Sequence, residues 1–201
     1  TSDRSTNEQT RSILRILEDE TNRLNILIRN LNALLLVDSG TMVQKIEIQQ
    51  HSIGKIIRQC TGSVSRFAKM RNVKIRTMIA DDLPDIACDE EYTIKAIQNI
   101  LFNAVVFSPM ESDVTILVRD EDYEMRVSII DCGDGIDYDE HLKIFEKFYR
   151  GKTAKKLDIP GFGLGLYVAK KLIEAMDGNI TMLSRPGEGS QFNIRLPLEH
   201  F

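Results

Sequence analysis

The sequence predicts an α+β fold: a mostly antiparallel sheet covered on one side by amphipathic helices and preceded by one long helix. Three observations predict it. From Gln44 onward, helical and extended patterns mix without the regular strand–helix–strand order of a parallel sheet. Two pairs of extended stretches are separated only by short polar linkers, Asp120-Glu121-Asp122 and Arg185-Pro186-Gly187-Glu188-Gly189, which makes each pair a hairpin. Residues 8–38 carry instead one long helical pattern.

That first pattern has a heptad seam. Ile13, Glu20, Leu27 and Leu34 are spaced by seven, as are Leu17, Leu24 and Leu31 between them. Leu14, Ile28 and Leu35 widen the apolar stripe beyond a two-helix zipper, as in a helical bundle. One helix cannot bury such a stripe, so it is expected to pack on a partner helix or to fold back on its own domain. Gly40 punctuates its end. The chain accordingly divides into residues 1–42 and 43–201.

Within the second unit a short strand is expected at 45–49, then a helix over 51–70, where Ile53, Ile56, Ile57, Cys60, Val64, Phe67 and Ala68 recur at helical spacing. Residues 73–80 read as a strand, and Asp81-Asp82-Leu83-Pro84-Asp85 as a turn before another short extended piece. A helix follows at 90–107, then strands at 114–119 and 124–131, the second marked by the alternation of Met125, Val127 and Ile129. A helix at 164–177 and strands at 179–184 and 190–196 close the chain.

Composition narrows the function classes. With 201 residues, 42% hydrophobic and 28% charged, the chain has room for one ordinary globular domain and a separate element. The formal net charge of −4 carries no basic excess, so nucleic acid and anionic membranes are not expected partners. Cys60, Cys88 and Cys132 form neither a metal-ligand spacing nor a disulfide framework, which fits a reducing compartment. No stretch has the apolar length to cross a bilayer and no secretory signal pattern opens the chain, so a cytoplasmic location is expected, without direct membrane contact of these residues and with membrane anchoring of the full protein through upstream parts left open. Thr1 as first residue is consistent with a piece of a longer protein.

Three clusters carry chemistry. In Gly161-Phe162-Gly163-Leu164-Gly165-Leu166, alternate glycines run into a helix and leave amides bare at its N-terminus, where anionic phosphate oxygens bind. Alone, the run reads equally as a flexible loop and a helix start. Asn99 and Asn103 fall together on the face of the 90–107 helix away from Ile97, Ile100, Leu101 and Ala104. Asparagine is a poor mid-helix residue, and an amide oxygen is a hard ligand suited to Mg²⁺, although a solvated polar face has the same pattern. Asp131 ends an apolar strand just before Gly133 and Gly135, where a carboxylate would accept from an exocyclic amine such as that of adenine, or simply terminate the strand in a turn.

Taken together, these residues resemble a known family. Asn99-Ile100-Leu101-Phe102-Asn103-Ala104 with Phe107-Ser108-Pro109 resembles the N box of sensor histidine kinases. Asp131-Cys132-Gly133-Asp134-Gly135 is similar to their DxGxG box, and Ile144-Phe145-Glu146-Lys147-Phe148-Tyr149-Arg150-Gly151 to their F box. Residues 161–166 resemble the GxGLGL box and Gly187-Glu188-Gly189-Ser190 the closing GxGT box. The motifs follow the family's order and cover about residues 95–196, and the segment from Ile46 fits the same domain.

The resemblance implies the GHKL ATPase fold, a two-layer α/β sandwich whose mixed sheet is backed by helices, with ATP and Mg²⁺ as cofactors. It implies Asn103 as the Mg²⁺ ligand and Asn99 as a phosphate-side contact. Asp131 would accept from the adenine amine, with Gly133, Gly135 and Ile136 beside the base and Ser190, in place of the usual threonine, holding a bridging water. Gly161, Gly163, Leu164, Gly165 and Leu166 would wrap the phosphates. Arg150 would stabilise charge on the transferring γ-phosphoryl, the task that dominates phosphoryl transfer. Residues from about 137 to 160, with Lys152, Lys155 and Lys156, would form a mobile lid.

On the same basis residues 1–42 resemble the second helix of the dimerisation and phosphotransfer hairpin, whose first helix would bear the phosphoacceptor histidine upstream. The implied activity is transfer of the γ-phosphoryl of ATP to that histidine and then to an aspartate of a response regulator receiver domain, in a homodimer joined through the helical hairpin. None of His51, His141 and His200 has the sequence context of the phosphoacceptor, so the chain alone is expected not to autophosphorylate. One departure bears on ATP: Val106 stands where many members carry a phosphate-reaching lysine, and Phe107 follows it in place of tyrosine. Val106 keeps open a reading as a non-catalytic nucleotide-binding module; another GHKL ATPase is the third alternative.

Overall fold

The computed structural model describes residues 46–157, 159 and 161–198, together with Ile13, Ile28, Leu31, Leu34 and Leu35 upstream. Those five positions are helical, and Ile13, Ile28, Leu31 and Leu35 are exposed. The rest of the heptad pattern and the division at residue 42 lie outside the described residues.

In chain order the elements are β1 (Gln49–His51), α1 (Ile53–Met70), β2 (Lys74–Ile79), β3 (Ile86–Cys88), α2 (Glu90–Phe107), β4 (Asp113–Glu121), β5 (Glu124–Ile130), α3 (Lys152–Lys156), α4 (Gly165–Glu174), β6 (Asn179–Ser184) and β7 (Ser190–Pro197). Two short 3₁₀ turns, Tyr138–Glu140 and Lys143–Phe145, lie between β5 and α3. The main sheet has the order β2-β4-β5-β7-β6, and β1 pairs with β3 in a separate two-stranded sheet. β2 runs parallel to β4 while every other pairing is antiparallel, which matches the mostly antiparallel sheet expected from the two hairpins.

Each helix has a local reason to form and to stop. α1 buries Ile53, Ile56, Ile57, Cys60, Val64 and Ala68 along one stripe. It ends where Asn72 turns left-handed at φ 53° and the Val73 amide donates to the Ala68 carbonyl at 2.9 Å. α2 starts at Asp89, whose carboxylate accepts from the Tyr92 amide at 3.0 Å, with Glu90 and Glu91 on the positive end of the helix dipole. Pro109 follows its cap residue Ser108, which is extended as a residue before proline prefers.

The buried faces meet in one core. Val114, Ile116 and Val118 of β4, Met125, Val127 and Ile129 of β5, and Phe192, Ile194 and Leu196 of β7 alternate along their strands. They cluster with Ile97, Ile100 and Leu101 of α2 and with Val168, Leu172 and Ile173 of α4. The result is two layers, helices on one face of a mixed sheet.

Several boundaries differ from the sequence reading, α4 for one ending at Glu174 and not at 177, and two of the differences have a clear cause. The first strand falls at Gln49–His51, not 45–49, and takes His51 away from the expected helix start, because His51 pairs with Ile86 across the two-stranded sheet. The β4–β5 hairpin turns at Asp122 and Tyr123, not at 120–122, since Glu121 still pairs with Glu124. Asp122 supplies the positive φ, 55°, that so tight a turn needs.

Candidate functional site

The site has two ends, one at the β5–β7 edge and one where α4 meets α2. At the first, Asp131 follows β5 and is 6% exposed. Its amide donates to the Ser190 carbonyl at 2.9 Å, while its Oδ1 accepts from the amides of Gly133 at 2.9 Å and Ser190 at 3.1 Å. Burial raises its carboxyl above the usual carboxylate range, and the two amide bonds oppose that shift. Both bonds fall on one oxygen. Oδ2 accepts no bond among the described residues, so a donor from outside has an acceptor waiting.

The turn after Asp131 is packed against its neighbours. A Cβ on Gly133 would lie 2.8 Å from the Phe107 carbonyl, and Gly135, at φ 70°, would bring one to 1.9 Å from the Arg185 carbonyl. Both glycines are therefore required by backbone contact within the fold, a reason independent of any ligand. The next residue, Ile136, donates its amide to Ser184 Oγ at 2.9 Å. Ser184 Oγ in turn donates to the Gly189 carbonyl at 2.8 Å and lies 3.0 Å from Ser190 Oγ. Because Ser184 has one proton and gives it to Gly189, Ser190 is the donor in the serine pair and keeps its lone pairs for another partner. Ser184 was not anticipated. The available signal was its place at the last residue of β6, directly across from Ser190.

At the second end the two asparagines come together at the start of α4. A Cβ built on Gly165 would lie 3.5 Å from Asn99 Oδ1 and 3.9 Å from Asn103 Nδ2. Leu164, the residue before α4, is buried and its side chain does not cap the helix. The first-turn amides of α4 thus remain open to an anion, as the glycine run suggests. Gly163 turns at φ 65° and presses on the preceding segment, where a Cβ would come within 2.3 Å of the Tyr149 carbonyl. A Cβ on Gly161 would meet nothing within 4 Å.

Arg150 stands in the segment expected to form a lid. Arg150 does not point free: its guanidinium donates to the carbonyls of Ile159 at 2.7 Å and Ala154 at 3.4 Å. Lys152 bridges Asp137 at 2.9 Å and Asp139 at 3.0 Å, an exposed pairing that solvent weakens. Lys155 stands 5.6 Å over the Tyr149 ring. Lys152 and Lys155 are thus engaged within this segment itself.

Comparisons with known proteins give the family. Residues 88–200 match the family described as "Histidine kinase-, DNA gyrase B-, and HSP90-like ATPase". The chain belongs to this ATPase family. The sensor protein RprX of Bacteroides fragilis is 32% identical over 188 residues, which cover 91% of this chain and 35% of RprX. The adaptive-response sensory kinase SasA of Synechocystis is 36% identical over 135 residues, 67% of this chain and 34% of SasA. The crystal structure of full-length ShkA in complex with AMPPNP superposes with a TM-score of 0.76 over 95% of this chain and 39% of ShkA, at 25% identity. The chain spans about a third of the length of the two sensor relatives it matches. Every site residue named from the sequence lies inside the stretch matched to the ATPase family.

The donor set fits a nucleotide of this ATPase family carrying magnesium. Among the described residues no cluster of His, Cys, Asp or Glu could hold a metal by itself. Mg²⁺ is commonly held by one or two protein oxygens plus phosphates and waters, which a single asparagine beside a phosphate cradle satisfies. Ser108 Oγ is the buried side-chain polar atom left without a partner among the described residues, one position after the Phe107 carbonyl that abuts Gly133. No helix among the described residues is long and apolar enough to cross a membrane.

Proposed function

We propose that this chain is the ATP-binding catalytic part of a sensor histidine kinase, using Mg-ATP to phosphorylate a histidine on a phosphotransfer helix of the same protein. From there the phosphoryl group passes to an aspartate of a response regulator receiver domain. The observation that carries this reading is the meeting of Asn99 and Asn103 with the uncapped start of α4, together with an Asp131 whose two backbone bonds both fall on Oδ1. One end suits phosphates and Mg²⁺, the other an exocyclic amine. The N-terminal segment supports a homodimer through its exposed apolar positions Ile13, Ile28, Leu31 and Leu35.

In this reading each residue has a task. Asp131 Oδ2 accepts from the base, and Ser190 Oγ, whose proton goes to Ser184, accepts from a water bridging to it. The amides of Gly165 and Leu166 bind phosphate oxygens, Asn99 contacts them, and Asn103 holds the metal. Arg150 leaves the lid carbonyls to meet the γ-phosphoryl, where it stabilises developing charge. Mg²⁺, when bound, neutralises phosphate charge.

Titration of a fluorescent ATP analogue with and without Mg²⁺ tests the reading. Mg²⁺-dependent binding that is lost in Asn103→Ala is expected. Val106 favours a second reading, a module that binds nucleotide without transferring phosphate; binding that ignores Mg²⁺, or that Asn103→Ala leaves unchanged, decides for it. Incubated alone with labelled ATP, the chain is expected to acquire no acid-labile, base-stable phosphate.

A further inference from the structure

Three carboxylates are buried among the described residues: Asp89, Asp131 and Glu140. Asp89 caps α2 and Asp131 stands in the site, but Glu140 belongs to neither. It is 4% exposed, on the 3₁₀ turn that opens the lid. Its Oε1 accepts from the Tyr149 hydroxyl at 2.8 Å and from the Lys152 amide at 2.9 Å. A Cβ on Gly151 would lie 3.4 Å from the same oxygen. Glu140 therefore touches the residue before Arg150 and the two residues after it.

Burying a carboxylate is costly unless its hydrogen bonds are made, so these contacts hold residues 149–152 in one arrangement. Glu140 is the chief cause that pushes the Tyr149 hydroxyl up to about 12, so the phenol keeps its proton and goes on donating through the physiological range. From the other side, the Tyr149 carbonyl backs onto Gly163 of the glycine run. The backbone beneath Arg150 is thus clamped twice, while its guanidinium rests on lid carbonyls that a lid movement would release.

We propose that Glu140 is the positioning residue for Arg150, fixing the backbone from which Arg150 reaches the γ-phosphoryl end of bound ATP. This rests on the ATP-site reading above. The plain alternative is that Glu140 only caps α3, whose first residue is Lys152. A cap has no reason to distinguish ATP from ADP. A positioner of Arg150 does, because ADP lacks the group that Arg150 meets.

Competition of MgATP and of MgADP against a fluorescent nucleotide, measured on the whole chain, separates the two. Glu140→Ala is expected to lower the ATP-over-ADP preference about fivefold or more, with ADP affinity kept within about twofold. Arg150→Ala is expected to do the same, and the double variant to lose no more than either single one. Glu140→Gln keeps an oxygen of the same reach and is expected to retain the preference; Tyr149→Phe removes one of the two bonds and is expected to lose part of it. Equal weakening of ATP and ADP by Glu140→Ala overturns the proposal, as do additive losses in the double variant or a glutamine variant as impaired as alanine. Should Glu140→Ala fail to fold, an unchanged preference in Tyr149→Phe overturns it. If the unsubstituted chain binds neither nucleotide, the ATP-site reading falls and this inference with it; if it binds both equally, this inference alone falls.

Discussion

Asp131 and Ser190 are bonded in both directions: the Asp131 amide donates to the Ser190 carbonyl at 2.9 Å, and the Ser190 amide donates to Asp131 Oδ1 at 3.1 Å. The exchange extends the β5–β7 ladder by one residue and aims the carboxylate at the same time. Sheet pairing thus continues directly to the carboxylate proposed to meet the base.

Asp131→Asn separates these two roles. Burial raises the folded-state carboxyl above its usual value, so the folded chain holds that proton more tightly than the unfolded one does. This contribution to stability is full below the ordinary carboxylate range, near about 3.9, and is lost as pH rises through the higher folded value. At neutral pH the ionised side chain is therefore a net cost, which a neutral amide with the same Oδ1 acceptor removes. The melting temperature of the nucleotide-free variant at pH 7 is expected to be equal or higher, with nucleotide affinity at least about tenfold lower, roughly 1.4 kcal/mol. A melting temperature lowered by more than about 3 °C, about 1 kcal/mol for a chain of this size, contradicts this account.

Ser184→Ala tests the hub that the sequence did not reveal. It removes the acceptor for the Ile136 amide and the donor to the Gly189 carbonyl, and leaves Ser190 Oγ without its acceptor. A loss of about 1–3 kcal/mol in urea unfolding is expected, together with weaker nucleotide binding. Ser190→Ala, which leaves the two backbone bonds of Ser184 intact, is expected to cost less stability; the reverse order of the two variants would show the donor assignment to be wrong.

The sequence made the site legible wherever a residue's chemistry contradicts its local surroundings. Asn99 and Asn103 in a helix, Asp131 at the end of an apolar strand and glycines at a helix start each break a propensity rule; the fold brings the two asparagines to the start of α4 and seats Asp131 against Gly133 and Ser190. The helix face of the sheet was legible for a simpler reason, since Met125, Val127 and Ile129 alternate along β5. Ser184, Glu140 and the engagement of Arg150 by Ile159 were not legible, because a serine ending a strand or a glutamate in a polar turn looks ordinary until its distant partner is known. The position of β1 was missed for the same cause: its pairing partner, Ile86, is 35 residues from His51 and carries the decision.

Gly163→Ala places a side chain where two constraints meet. The residue turns at φ 65°, which alone costs alanine about 1–2 kcal/mol, and its Cβ would lie 2.3 Å from the Tyr149 carbonyl. The glycine run and the F-box segment must then move apart. Lower stability in urea unfolding is expected, with a larger loss of MgATP than of MgADP binding, because Tyr149 carries the backbone of Arg150. Gly161→Ala, with nothing within 4 Å of its Cβ, serves as the control and is expected to change unfolding by less than about 0.5 kcal/mol. Equal effects of the two substitutions would contradict the packing argument.

The three cysteines are expected to separate by reactivity. Burial pushes the Cys60 thiol up to about 12 and the Cys88 thiol up to about 11, so at pH 8 neither offers appreciable thiolate, and neither is reachable in the folded chain. Cys132 is exposed, its Sγ donating to the Asp113 carbonyl at 3.3 Å, and it sits between Asp131 and Gly133. A colorimetric thiol reagent at pH 8 is expected to label Cys132 in the native chain and all three cysteines after denaturation. MgATP is expected to slow the native labelling at least about twofold, because a base held by Asp131 closes the turn on which Cys132 lies. Fast native labelling of Cys60 or Cys88 would contradict the core packing of α1 and β3, and a native rate indifferent to MgATP would place the base away from Asp131.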